Sequence, residues 1–283
     1  MESHPQASLL GLPRELRLLI YEHVMLSSIS ARANIPDHRS IGYGDIRTKL
    51  DAYGKELDRG GKYMTSWSDL MQAHPLIAHE VRDLAASPSE YTGLMHTYTL
   101  ELYADHRSLR MRATILNGGC WMLMPCRPTA VRRLNVVLHI PAGQRMEERR
   151  SLTGAVARQL FYTIYLFTLY GPLLGGTRIS LCIDELVIDV ARTWPGNTAM
   201  LDSGPLVFED KAVQYLKRLF TEVIQRGIFY GCIGSVRLLC QSSHLDGDRS
   251  FCCKWVVKKP EQPIDRTANW EQLGVQWGAS DIQ

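Results

Sequence analysis

The sequence predicts a mixed chain, α+β or α/β, with a helical region over residues 1–95, an α/β body with a partly parallel sheet over 96–259, and a tail over 260–283. Three observations carry this. Two stretches in the first hundred residues, "LPRELRLLIYEHVM" and "DLMQAHPLIAHEVRDL", repeat apolar residues at helical spacing. After residue 96, short runs rich in β-branched and aromatic residues alternate with two long helical patterns, as β-α-β units do. With 283 residues, 45% of them hydrophobic and 22% charged, the chain has apolar material for a sizeable core.

The first helix is expected from about Leu12, because Pro13 suits a first helical turn and Glu15 lies near the positive end of the dipole. At about 100° per residue, Leu12, Leu16, Leu19, Ile20, Val24 and Leu26 form a broad apolar stripe. Leu18, Tyr21 and Met25 form a second, and Arg14, Glu15, Arg17 and Glu22 occupy the sectors between. Two stripes need cover from two directions, from this chain or from another protein. If a partner supplies the second cover, Leu18, Tyr21 and Met25 should face solvent in the isolated chain. His23, inside the larger stripe, reads as a hydrogen-bonded core residue.

Residues 31 to 66 are rich in Gly, Arg, Asp and Tyr and read as a long exposed loop, with a helical turn near Lys49 to Leu57. The "GGK" at its end is not a phosphate loop, since Glu56 stands where the first glycine belongs and Tyr63 follows the lysine. In the next stretch Leu70, His74, Ile77, Val81 and Leu84 share a stripe, but Pro75 would remove a bond from a continuous helix. Two short helices, with His74 capping the second, are expected. His74 and His79 are too far apart around a helix to share a metal.

In the body, "HTYTLELYA" and "RRLNVVLHI" read as strands, followed by a helix from about Met146 to Tyr170 and a strand at "RISLCIDELVIDV". A loop through "RTWPGNTAMLDSGP" leads to a helix from about Glu209 to Arg226, then strands at "GSVRLLCQ" and "RSFCCKWVVKK". The uncharged run "QLFYTIYLFTLYGPLLGGT" is long enough to span a membrane. Gln159 and the Gly171-Pro172 break argue instead for a helix buried on most sides, so no membrane partner is expected. In the tail, Trp270, Leu273, Val275 and Trp277 either dock as a clasp or stay loose.

The opening "MESHPQASLL" has no basic start and no apolar core of signal-peptide length, so a cytoplasmic or nuclear location is expected. Seven cysteines without regular spacing then read as free buried thiols. A net charge of +3, with 32 basic and 29 acidic residues interleaved, gives no ground for nucleic-acid binding. No constellation reads as catalytic. Cys120 and Cys126 lack the spacing of a zinc or redox pair, and Cys252 and Cys253 point to opposite faces of a strand. Asp184, Glu185 and Asp189 read as acids decorating a strand edge or the start of a loop, and "LYGPLLGGT" lacks the dinucleotide register. No cofactor is implied.

"LPRELRLLIYEHVM", Leu12 to Met25, resembles the F-box-like opening of a large group of filamentous-fungal proteins, of the form LPxELRxxIYExxL. Their second helix follows the form LLxxCRxIxxEAxxL, which "DLMQAHPLIAHEVRDL" matches through Leu70, Met71, Ile77, Glu80 and Leu84, with His74 and Pro75 in place of the usual cysteine and arginine. The resemblance implies that residues 1–95 are an F-box-like helical region. It implies a substrate-recognition adaptor of a cullin-RING ubiquitin ligase, whose body holds a protein substrate and whose Leu12, Pro13, Leu16, Leu19, Ile20, Tyr21 and Val24 lie in the element that meets the Skp-type adaptor. Arg14 or Arg17 would tune orientation at the rim. The alternatives are a scaffold or interaction protein whose first helix is purely structural, or an α/β enzyme with no visible motif.

Overall fold

The computed structural model describes residues 8–29, 31–33, 66–86, 92–107, 113–141, 146–193, 206–241 and 249–259. Most of the expected 31–66 loop with its "GGK", the loop at 194–205 and the 260–283 tail lie outside them.

The body is one seven-stranded sheet made of β1 (Ala31–Arg32), β2 (Thr97–Arg107), β3 (Ala113–Leu123), β4 (Arg133–Pro141), β5 (Ile183–Thr193), β6 (Ile233–Gln241) and β7 (Arg249–Val256). Their order is β1-β3-β2-β4-β5-β6-β7. β2, β4, β5 and β6 run parallel, while β3 and β7 pair antiparallel on either side of them. The fold is therefore α/β with a mixed, partly parallel sheet, as the alternation of strands and helices predicts.

Among the described residues, five helices of eight or more residues accompany the sheet: α1 (Arg14–Met25), α2 (Ser66–Ala73), α3 (Pro75–Ala86), α4 (Met146–Tyr170) and α5 (Leu206–Gln225). A strand sends alternate side chains to opposite faces, so the register defines layers. Leu100, Val136, Ile188 and Leu238 form one fully buried row across four strands, and Tyr98, Leu134, Leu186 and Val236 the row beside it. α4 and α5 contribute to the same core. Tyr98 packs edge-on to Trp121 and Phe167, with ring centroids 6.0 Å from each. α4 is buried at nearly every described side chain, and no described helix is long and apolar enough to cross a membrane. Gln159, the polar residue inside it, accepts a 2.6 Å hydrogen bond from the Leu116 amide of β3. The helix ends where Gly171 takes φ +72°, a conformation in which a Cβ would also meet Ile179 Cδ1 at 2.8 Å.

Several local expectations are corrected. β3 is a strand that the sequence pattern does not signal, because Asn117, Gly118 and Gly119 are residue types common in turns. They lie mid-strand at an irregularity: Tyr103 pairs with Gly118 and Ala104 with Leu116, so Asn117 is the extra residue of a bulge. β5 begins at Ile183 rather than at Arg178, because residues 179–181 are held by Leu169 and Thr168 carbonyls at the end of α4. β5 is also an interior strand, so its acids do not guard an edge. Glu185 instead pairs with Arg133 at 3.3 Å and with Arg237 across the neighbouring strands. Cys240 is disulfide-bonded, against the expectation of free thiols throughout. Cys126, Cys182 and Cys253 are free, and burial pushes the Cys126 thiol up to about 12.

The N-terminal helices build a second, smaller core from Tyr21, Met25, Ile77, Val81 and Met95, flanked by Leu18, Trp67, Leu70 and Leu84. It shares no buried member with the sheet core. The chain breaks between α2 and α3 at His74, as Pro75 requires, and His74 Nδ1 accepts the Leu76 amide at 3.1 Å.

Candidate functional site

The site the sequence nominates is α1, which begins at Arg14 with Pro13 as N-cap, one residue later than a proline in the first helical position would place it. Leu12 still has extended backbone, at φ −77° and ψ 149°. A short 3-10 turn, Leu9–Gly11, precedes it.

The narrower stripe of α1 is covered by this chain itself, so Leu18, Tyr21 and Met25 do not face solvent as they should if a partner covered them. Tyr21 is 0% exposed and Met25 2%, and Leu18 packs beside them, so the narrower stripe is the one that faces α2 and α3. The broader stripe faces outward: Leu16 is 48% exposed and Leu19 60%, with Leu12 and Ile20 also open to solvent. Pro13 is exposed, Val24 half-buried, and Leu26 packs against the small core. Of the seven nominated residues, then, Leu12, Pro13, Leu16, Leu19 and Ile20 present surface, and Tyr21 does not. His23 is exposed rather than a core residue.

The reason lies in the charges between the stripes. Arg17 is not a rim residue: its side chain is only 11% exposed and forms a two-pronged ion pair with Glu80 of α3, through Nε at 3.0 Å and through Nη2. The Tyr21 hydroxyl donates to the same carboxylate at 3.0 Å. Arg14, on the same side, reaches Asp83 at 3.4 Å in the open. The face of α1 that meets α3 is the one whose arginines find acids there. With three donors around it, the Glu80 carboxyl is held down at about 2 against an ordinary 4.5, chiefly by the Arg17 hydrogen bonds. Burial and the Glu80 contact push the Tyr21 phenol up.

Glu80 enters the sequence analysis only as a matching position of the second motif, and its charge carries a further signal. It lies at the margin of the apolar stripe of α3, on the Leu84 side, and a charge beside such a stripe needs a buried partner. The pair joins the arginine of the first motif to the glutamate of the second.

A polar group also occupies the other face of the sheet, near the carboxyl ends of β2 and β4. The Tyr103 ring stacks on His139 with centroids 4.6 Å apart, and its hydroxyl donates to Glu101. That bond pushes the Tyr103 phenol up to about 12, so it stays a neutral donor at neutral pH. His139 Nε2 is 3.6 Å from Glu101 Oε2. Among the described residues no three His, Cys, Asp or Glu side chains converge as metal ligands.

No family of known proteins, no curated protein and no solved structure matches the chain.

Proposed function

We propose that the chain is an F-box-like protein-interaction module, a substrate-recognition adaptor that docks a Skp-type adaptor of a cullin-RING ubiquitin ligase through α1 and carries a protein substrate on its α/β body. The observation that supports this most is the outward apolar stripe, Leu12, Leu16, Leu19 and Ile20, on a helix whose opposite face is anchored by Tyr21, Met25 and the Arg17–Glu80 pair. A row of large apolar side chains on an anchored helix suits helix-in-groove recognition, in which a few anchors supply most of the binding energy. Tyr21 then acts from behind, by fixing the helix, and is not itself a contact.

The test is co-expression of the full chain with a fungal Skp adaptor, followed by size-exclusion chromatography. Wild type should co-elute with the adaptor. A Leu16→Asp/Leu19→Asp variant should keep the wild-type circular dichroism spectrum and lose co-elution, each substitution costing about 2 kcal/mol or more of binding. Absence of a wild-type complex, or one that survives the double substitution, overturns the reading. The burial of Tyr21 and Met25 favours a second reading, an interaction protein whose first helix serves its own architecture. That reading predicts a folded wild type with no adaptor bound.

A further inference from the structure

We propose that Arg17 is a latch that couples the seating of the N-terminal turn, Leu9–Gly11, to the α1–α3 ion pair. A guanidinium is a rigid plane, so fixing two of its nitrogens fixes the direction of the third. Nε and Nη2 of Arg17 are committed to the two oxygens of Glu80, and that carboxylate is held in turn by the Tyr21 hydroxyl. Nη1, at the far end of the plane, donates to the Leu12 carbonyl and, at 3.4 Å, to that of Leu10. One side chain therefore ties three segments together: the turn, α1 and α3.

Among the described residues, the turn has little else to hold it. Its own bonds are the Gly11 amide to the Ser8 carbonyl at 2.9 Å and the Leu12 amide to the Leu9 carbonyl at 3.2 Å. No side chain caps it, Leu10, Gly11 and Leu12 are exposed, and a Cβ built on Gly11 meets nothing within 4 Å. Leu9 alone packs toward the helical core. The hydrogen bonds of Glu80 go to Arg17 and Tyr21, and through the first it orients the donor that reaches the turn. Neutralising Glu80 frees the Arg17 plane and leaves the Leu10 and Leu12 carbonyls without their donor. Leu12 begins the outward stripe of α1, so the latch also sets where that stripe starts. The coupling is a property of the helical unit and holds whether or not α1 meets an adaptor.

Backbone ¹⁵N relaxation of the full chain tests it, comparing wild type, Glu80→Gln, Arg17→Met and the double variant. The order parameters of Gly11 and Leu12 should fall from about 0.85 in wild type to below about 0.6 in each single variant, with the Tyr21 and Met25 amides unchanged. In the Arg17→Met background, Glu80→Gln should produce no further loss at Gly11 and Leu12. Unchanged order at Gly11 and Leu12 in Glu80→Gln overturns the latch, as does a further loss in the double variant. Should Glu80→Gln melt α1, Arg17→Lys decides, because it keeps a charge opposite Glu80 but has no third nitrogen for the carbonyls. A turn as ordered as in wild type in that variant overturns the latch equally.

Discussion

Glu80 shows how one side chain can set the orientation of a helix. A carboxylate this buried is costly unless its acceptors are filled, and Arg17 and Tyr21 fill them. Its folded-state pKa, about 2 against 4.5, lies below the unfolded value, so the pair stabilises the helical unit fully above the ordinary carboxylate range. That stability is lost as pH falls from there through about 2. Urea titrations between about pH 7 and about pH 2, followed by circular dichroism, should therefore show the midpoint falling over this acid range. The part of that fall due to Glu80 should disappear in Arg17→Met. An equal acid response in the two proteins would mean that Arg17 does not hold Glu80 down in solution. Gln159 makes the same point inside a largely apolar helix: its buried amide is tolerated because it satisfies the Leu116 amide.

For α1, the count of apolar residues in each stripe gives the wrong orientation. The broader stripe has more leucines, yet the narrower one is buried, because α3 presents Glu80 and Asp83 to Arg17 and Arg14. The two faces should respond differently to truncation. Met25→Ala removes a buried side chain and should cost about 2–5 kcal/mol. Leu19→Ala removes an exposed one and should stay within about 0.5 kcal/mol. Urea midpoints of the two variants at neutral pH check the contrast, and comparable losses would place Leu19 in a core. Element boundaries were best read where long patterns and breakers coincide. The expected Met146 to Tyr170 helix matches α4, and Pro75 splits α2 from α3 as read. β3 escaped because bulge residues and turn residues are chemically alike, and only its pairing with β2 distinguishes them.

The described residues form two hydrophobic cores with no shared buried residue, one under α4 and α5 and one among α1, α2 and α3. Cooperativity follows shared burial, so unfolding by urea should occur in two steps. Trp67 borders the helical core and Trp121 is fully buried in the sheet core, so single-tryptophan variants report on each. Met25→Ala should lower the midpoint seen by Trp67 and leave that seen by Trp121 in place. Coincident shifts in both would show that the two cores fold as one unit. The body is joined to the helices by more than sequence, since β1 pairs with β3 and the Ile29 amide donates to the Met122 carbonyl at 3.1 Å.

The sequence by itself determined the helices of the N-terminal region, the break at Pro75, the buried helix ending at Gly171 and the mixed α/β class, because each rests on local periodicity or on the backbone limits of proline and glycine. Tertiary structure alone decided which face of α1 turns inward, that Arg17 and Tyr21 share Glu80, and that β5 lies inside the sheet. Each of those depends on a partner far along the chain: Glu80 lies 63 residues from Arg17, and a side chain's environment is set by what reaches it in space, which spacing within one helix does not encode.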